Sequence, residues 1–77
     1  MFGKRFPHAL AKRAKMRLDR IAAATCLDDL RVPPSHQLEL LHGDRAGQHS
    51  IRINQQWQVC FIWQDGHAYQ VEIVDYH

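Results

Sequence analysis

Trp57-Gln58-Val59-Cys60-Phe61-Ile62-Trp63-Gln64-Asp65-Gly66 is the stretch on which the fold turns. Trp57, Val59, Phe61 and Trp63 recur at every second residue, with Gln58, Cys60 and Ile62 between them. Side chains alternate across a strand, so this spacing predicts a strand with one strongly apolar face. Gln64-Asp65-Gly66 is a hairpin signal, because glycine after aspartate suits the positive φ angles of a tight turn. The strand after the hairpin is expected from Tyr69 to Val74. Working backwards, Asn54-Gln55-Gln56 reads as a turn, and Ser50-Ile51-Arg52-Ile53 alternates as a half-buried strand. Gly43-Asp44-Arg45-Ala46-Gly47 is another turn, and Gln37 to Leu41 a short first strand. Connections this short favour antiparallel neighbours.

Upstream the periodicity changes. Pro7 suits a first helical turn, since its φ is fixed and its missing N–H is not needed there. No glycine or further proline occurs up to Ala24, and Leu10, Ala14, Leu18 and Ile21 step by four, four and three. These four share one face of a helix expected from Pro7 to Ala24. Lys12, Arg13, Lys15, Arg17 and Arg20 spread over the remaining surface, as a solvated basic helix or as a surface that meets an anion. Thr25 with Asp28 resembles a capping box opening a helical turn through Leu30. Pro33-Pro34 stops any further helix. The fold class is therefore α+β: an amino-terminal helix plus a short helical turn, packed on an antiparallel sheet of about four strands. Trp57, Val59, Phe61, Val71 and Ile73 are expected beneath the helix, facing Leu10, Leu18 and Ile21.

With 77 residues, the chain is read as a single domain spanning residues 1–77. A chain of this size hides only about 60% of its unfolded surface, so its core is thin and a partner is expected to add stability. No stretch approaches the roughly 20 apolar residues of a membrane span, and the basic start has no apolar segment after it. Cys26 and Cys60 lie far apart and form no CxxC pattern or disulfide framework. These features point to a cytoplasmic protein without a membrane partner. Charge is uneven: Met1 to His36 carries a balance of +5 and Gln37 to His77 one of −3. Six histidines invite a metal reading, but none are spaced as a zincin pair and no zinc knuckle exists. His49 and His67 fall at strand ends that can approach each other. No metal and no cofactor are expected.

The downstream residues also have a recognisable order. Gly43-Asp44-Arg45-Ala46-Gly47-Gln48 precedes Ser50-Ile51-Arg52-Ile53-Asn54, then Trp57 and Phe61, and the sequence ends Val74-Asp75-Tyr76-His77. Leu27-Asp28-Asp29-Leu30-Arg31-Val32-Pro33-Pro34 lies upstream. This order resembles the HigB, or proteic killer, branch of the RelE/ParE toxin superfamily, loosely from Pro7 and tightly from His42. The resemblance implies helices on one face of the sheet and a concave RNA site on the other. It implies a ribosome-dependent mRNA endonuclease. Its implied partner is a HigA-like helix-turn-helix antitoxin, through which alone it would reach operator DNA. It also implies a strand and the start of a helix ahead of Phe2-Gly3-Lys4, so either an edge strand has been lost or the start of the natural chain lies upstream of Met1. Two further departures are His42, where the family often has lysine, and Gln58, where it often has arginine. Both positions are associated in the family with cleavage, so the alternative is a catalytically impaired homologue that serves as an antitoxin-binding module.

Metal-free RNA cleavage needs a base for the 2′-hydroxyl, donors or cations for the charge growing on phosphate, and an acid for the 5′-oxygen. His77 is the acid/base candidate, because imidazole titrates near neutrality and its own terminal carboxylate favours the protonated form. Its bland alternative is a frayed tail. Tyr76 is expected to stack on a base or bond to phosphate, or else simply to pack. Asp75 can orient His77 or accept from the 2′-hydroxyl, or else be a solvated strand end. His42 and Gln58 complete the catalytic set. Arg45, Arg52 and Gln56 are the RNA-binding candidates: Arg45 pairs with Asp44 or reaches phosphate, Arg52 points away from the core, and Gln56 places the substrate. Of the two roles open to Arg45, a structural one is favoured.

Overall fold

A computed structural model of the protein describes residues 6–75. Pro7 caps a 3₁₀ turn, His8–Leu10, which leads into α1, Ala11–Ala23. The helix expected from Pro7 therefore begins as the tighter helical form: the Leu10 N–H bonds to the Pro7 carbonyl at 3.0 Å, an i to i+3 closure. Ala14 and Ile21 are buried, while Leu10 and Leu18 are half-buried against the same core. Ala14 has no exposed surface, and its small side chain lets the helix approach the sheet closely.

A 3₁₀ turn, Leu27–Arg31, follows. The cap expected from Thr25 and Asp28 is made one residue later. The Asp29 carboxylate accepts from the Thr25 N–H (3.0 Å), the Thr25 hydroxyl (3.1 Å) and the Cys26 N–H (3.3 Å). Those donors hold the Asp29 carboxyl below the usual carboxylate range. Asp28 instead pairs with Arg31 at 2.8 Å. Leu30 is buried, and the carbonyl of Leu30 accepts from His36 Nδ1 at 3.2 Å, which seats the fully buried His36 ring at the end of the next 3₁₀ turn, Pro34–His36.

The sheet has four strands in the order β1-β2-β3-β4, each pair antiparallel. They are β1, Glu39–Leu40; β2, His49–Arg52; β3, Trp57–Gln64; and β4, His67–Asp75. The first strand is shorter than the expected Gln37 to Leu41, because Gln37 takes a left-handed φ of 47° in closing the Pro34–His36 turn. β4 is longer than expected, starting at His67: Gln64 lies opposite His67, and the loop residues Asp65 and Gly66 have φ of 53° and 79°. Positive φ at both centres gives a two-residue hairpin whose twist matches the strands. Pairing slips between Cys60 and Ile62, where Gln70 on β4 has φ 51° and forms a bulge.

The core lies between α1 and one face of the sheet. Trp57, Val59, Phe61, Ile51 and Ile53 are buried there with Leu30 and Phe6, whose ring meets Trp57 edge-on at 5.1 Å. Val71 and Ile73, expected to be buried, are half-buried, because β4 is an edge strand with only one neighbour. His49 and His67 do not meet: His49 stacks on Phe61 from β2, and β3 separates it from β4. Among the described residues no helix is long and apolar enough to cross a membrane.

The basic residues of α1 do not form a uniformly solvated face. Arg13, Arg17 and Arg20, spaced four and three apart, form a stripe beside the apolar one and hold backbone carbonyls across the fold. Arg13 Nη1 donates to Ile53 O (3.3 Å), Arg17 Nε to Arg52 O (2.8 Å) and Arg20 Nη2 to Val32 O (2.6 Å). Lys15 pairs only with Asp19 on the exposed side.

Candidate RNA-cleavage face

Alternation along β3 sends Gln58 to the sheet face opposite α1, because Trp57 and Val59 are buried under the helix. Arg52 of β2 lies opposite Gln58, and Val74 of β4 flanks Gln58 on its other side. Arg52, Gln58 and Val74 thus form one row across the outer face, all three half-buried. The next row is Ser50, Cys60 and Glu72. Ser50 and Cys60 are buried although they too point away from α1.

Their burial follows from the Gly-Asp-Arg segment. His42 precedes a 3₁₀ turn, Gly43–Arg45, and the Leu41 N–H bonds to Gln48 O at 2.8 Å to close the loop. Arg45 Nη1 then donates to Glu72 Oε1 at 2.7 Å and to Gln48 Oε1 at 3.1 Å. Glu72 belongs to β4 while the loop joins β1 to β2, so the Arg45 side chain crosses β3 above Cys60. Arg45 therefore pairs with Glu72 and not with Asp44, and Glu72 holds its guanidinium more firmly charged. The bridge roofs half of the outer face and leaves the Arg52–Gln58–Val74 row uncovered by it. Burial pushes the Cys60 thiol pKa up, which keeps it protonated and unreactive.

The β2–β3 turn fixes the other end of the row. Asn54 Oδ1 accepts from the backbone N–H of Gln56 (2.9 Å) and of Trp57 (2.8 Å). This turn presents the Gln56 side chain, whose Nε2 donates to Asp75 Oδ2 at 3.2 Å. Asp75 is also opposite Trp57 on β3, so the last described residue of β4 is tied to the turn by main chain and side chain. Gln56 and Asp75 are therefore together, as are Arg52 and Gln58. His42 is exposed at the mouth of the Gly43–Arg45 turn. Tyr76 and His77 lie outside the described residues. Sequence reasoning did not foresee Glu72 or Asn54; Asn54 in a polar turn before a strand was the legible signal, whereas Glu72 has none without the register.

One helix over an antiparallel four-stranded sheet is the arrangement of the RelE-like α+β class. The profile of a RelE-like toxin of type II toxin-antitoxin system HigB matches residues 3–77, and the chain belongs to this HigB-like toxin family. It is 37% identical over 62 residues to Toxin HigB-1 of Vibrio cholerae, covering 80% of this chain and 65% of that protein. It is 36% identical over 61 residues to an uncharacterised protein of Haemophilus influenzae, covering 79% of this chain and 60% of that protein. The chain thus spans less than two thirds of the length of both relatives.

Proposed function

We propose that the protein is the toxin of a type II toxin-antitoxin pair and a metal-free, ribosome-dependent mRNA endonuclease that acts in the cytoplasm. The observation that carries this reading is the Arg52–Gln58 row on the face away from α1, bounded by the Gln56–Asp75 contact, in a chain of the HigB-like family. His77 serves as the acid/base group, Tyr76 stacks on or bonds to the substrate, and Asp75 orients the chain end. Arg52 and Gln58 face the scissile phosphate, Gln56 places the strand, and His42 donates from the rim. Attack by the 2′-hydroxyl leaves a 2′,3′-cyclic phosphate and a free 5′-hydroxyl. Arg45 acts chiefly by holding the Gly43–Arg45 turn over the sheet; direct contact with RNA requires it to exchange Glu72 for phosphate.

The partner is a HigA-like helix-turn-helix antitoxin, encoded beside the toxin, through which the complex reaches its operator DNA. A second reading is a catalytically impaired homologue that binds the antitoxin. His42 and Gln58 favour it, since neither gives the fixed positive charge that a lysine or arginine gives a developing phosphate dianion. Induced expression in cells separates the two. Growth arrest with cut messages supports the nuclease. Normal growth, with co-purification and a raised melting temperature beside the neighbouring helix-turn-helix protein, supports the binding module.

A further inference from the structure

A cleft of about 460 Å³ opens where α1 meets the β2–β3 turn. Arg13, Arg17 and Arg52 line it, with Gln37, Asn54 and Gln55 as neutral donors. No carboxylate is among the described residues that line it. Two of the arginines are fixed: each donates one N–H to a carbonyl of the Arg52-Ile53 segment, which holds its guanidinium in place before any ligand arrives. Arg17 lies close enough to Arg13 and Arg20 that their charges, after its own burial, lower its pKa. Arg13 and Arg17 thus concentrate positive charge here with no carboxylate among the described lining residues, and a guanidinium is a planar fork suited to paired anionic oxygens.

Arg52 belongs to both surfaces, because it lines this cleft and lies opposite Gln58 on the outer face. The cleft therefore adjoins the Arg52–Gln58 row at Arg52, whose carbonyl accepts from Arg17 on the cleft side. We infer that the α1 cleft is a second RNA subsite, in which Arg13 and Arg17 hold a backbone phosphodiester of the strand whose scissile phosphate lies on the outer face. This assignment rests on the nuclease reading of that face. Single-stranded RNA fits better than an acidic peptide. The described lining combines arginines with neutral amides and Ser35, with Ile53 its one apolar side chain, and the cleft adjoins a row already assigned to phosphate.

Binding of a short fluorescent single-stranded oligoribonucleotide to the full chain, followed by anisotropy across a KCl series, tests the assignment. Arg13→Gln/Arg17→Gln removes the charges but also both carbonyl bonds, so its fold must be checked by thermal melting. Gln55→Glu places a negative charge in the cleft and leaves those bonds intact. Lys15→Gln, on the exposed side of α1, is the control. Both cleft variants should bind about tenfold more weakly at low salt, as expected when a charge-assisted hydrogen bond is removed. The slope of log K against log salt should flatten by about 0.7 for each phosphate that is no longer neutralised. Lys15→Gln should match the parent. Parent-like affinity and slope for folded Gln55→Glu, or no RNA binding by the parent, overturns the subsite. So does loss of antitoxin capture with RNA binding unchanged, which would make the cleft a protein-docking surface. Weaker RNA binding in a chain that never cleaves would sink the nuclease reading but leave the subsite standing. Cleavage with unaltered RNA binding by the cleft variants would do the reverse.

Discussion

Gln58→Arg should make the protein a faster message cutter. Gln58 points away from α1, so a longer side chain there meets the outer face and leaves Trp57, Val59 and Phe61 undisturbed. Its strand neighbours are Arg52 and Val74. A guanidinium adds charge where the transition state gains it, and one such stabiliser is worth about 2.7–4 kcal/mol in comparable oxyanion sites. The structure also supplies an opposing term. Arginines directly opposite on paired strands repel, at a cost of about 0.2–1 kcal/mol. The catalytic term exceeds that cost, and each 1.36 kcal/mol is about tenfold in rate, so cleavage should rise about tenfold or more. The repulsion should lower the melting temperature by up to about 4–8 °C. The assay is ribosome-dependent cleavage of a reporter message, paired with growth arrest on induction. A folded Gln58→Arg protein that cuts no faster would refute the reasoning and remove Gln58 from the cleavage site.

Four further outcomes follow from the same geometry. His42→Lys should act in the direction of Gln58→Arg, and the double variant should exceed either in the same cleavage assay. Phe61→Ala, at a residue with no exposed surface, should cost about 3–5 kcal/mol, read by urea denaturation. Arg45→Gln breaks a half-exposed bridge and should cost under about 1 kcal/mol; in a Cys26→Ser background it should nonetheless speed thiol labelling of Cys60, which that bridge crosses. Stability should fall as pH drops below about 6.5, the ordinary histidine value. Burial lowers the pKa of both His36 and His49, and the charges of Arg17 and Arg20 lower His36 further against the opposing Leu30 carbonyl. The folded state therefore keeps these rings neutral while the unfolded chain takes up protons, so their stabilising contribution is present above the unfolded pKa and lost in acid. Chemical denaturation from pH 7.5 to 5 should show this slope, and His36→Phe should flatten it if the ring folds in place.

The strand from Trp57 and its Asp65-Gly66 hairpin were legible because period-two alternation and a positive-φ turn are local properties of the chain. The helix was legible for the same reason, through the Leu10, Ala14, Leu18 and Ile21 stripe. The short β1 was over-read, because the left-handed Gln37 belongs to the closure of a 3₁₀ turn that apolar patterning does not reveal. The Arg45–Glu72 bridge and the Gln56–Asp75 contact span 27 and 19 residues, so they appear only once strand register exists. The three arginines of α1 were visible, but their targets are backbone carbonyls, which carry no residue signature. The burial of Ser50 and Cys60 on the outer face was illegible too, because it depends on a loop crossing the sheet.

The most direct test of the account is cleavage by the parent protein and by His77→Ala on ribosomes translating a reporter message, with the ends of the fragments analysed. The account predicts fragments ending in 2′,3′-cyclic phosphate from the parent, none from His77→Ala, and equal melting temperatures for the two. Equal cleavage by both proteins, or no cleavage by the parent, would contradict it.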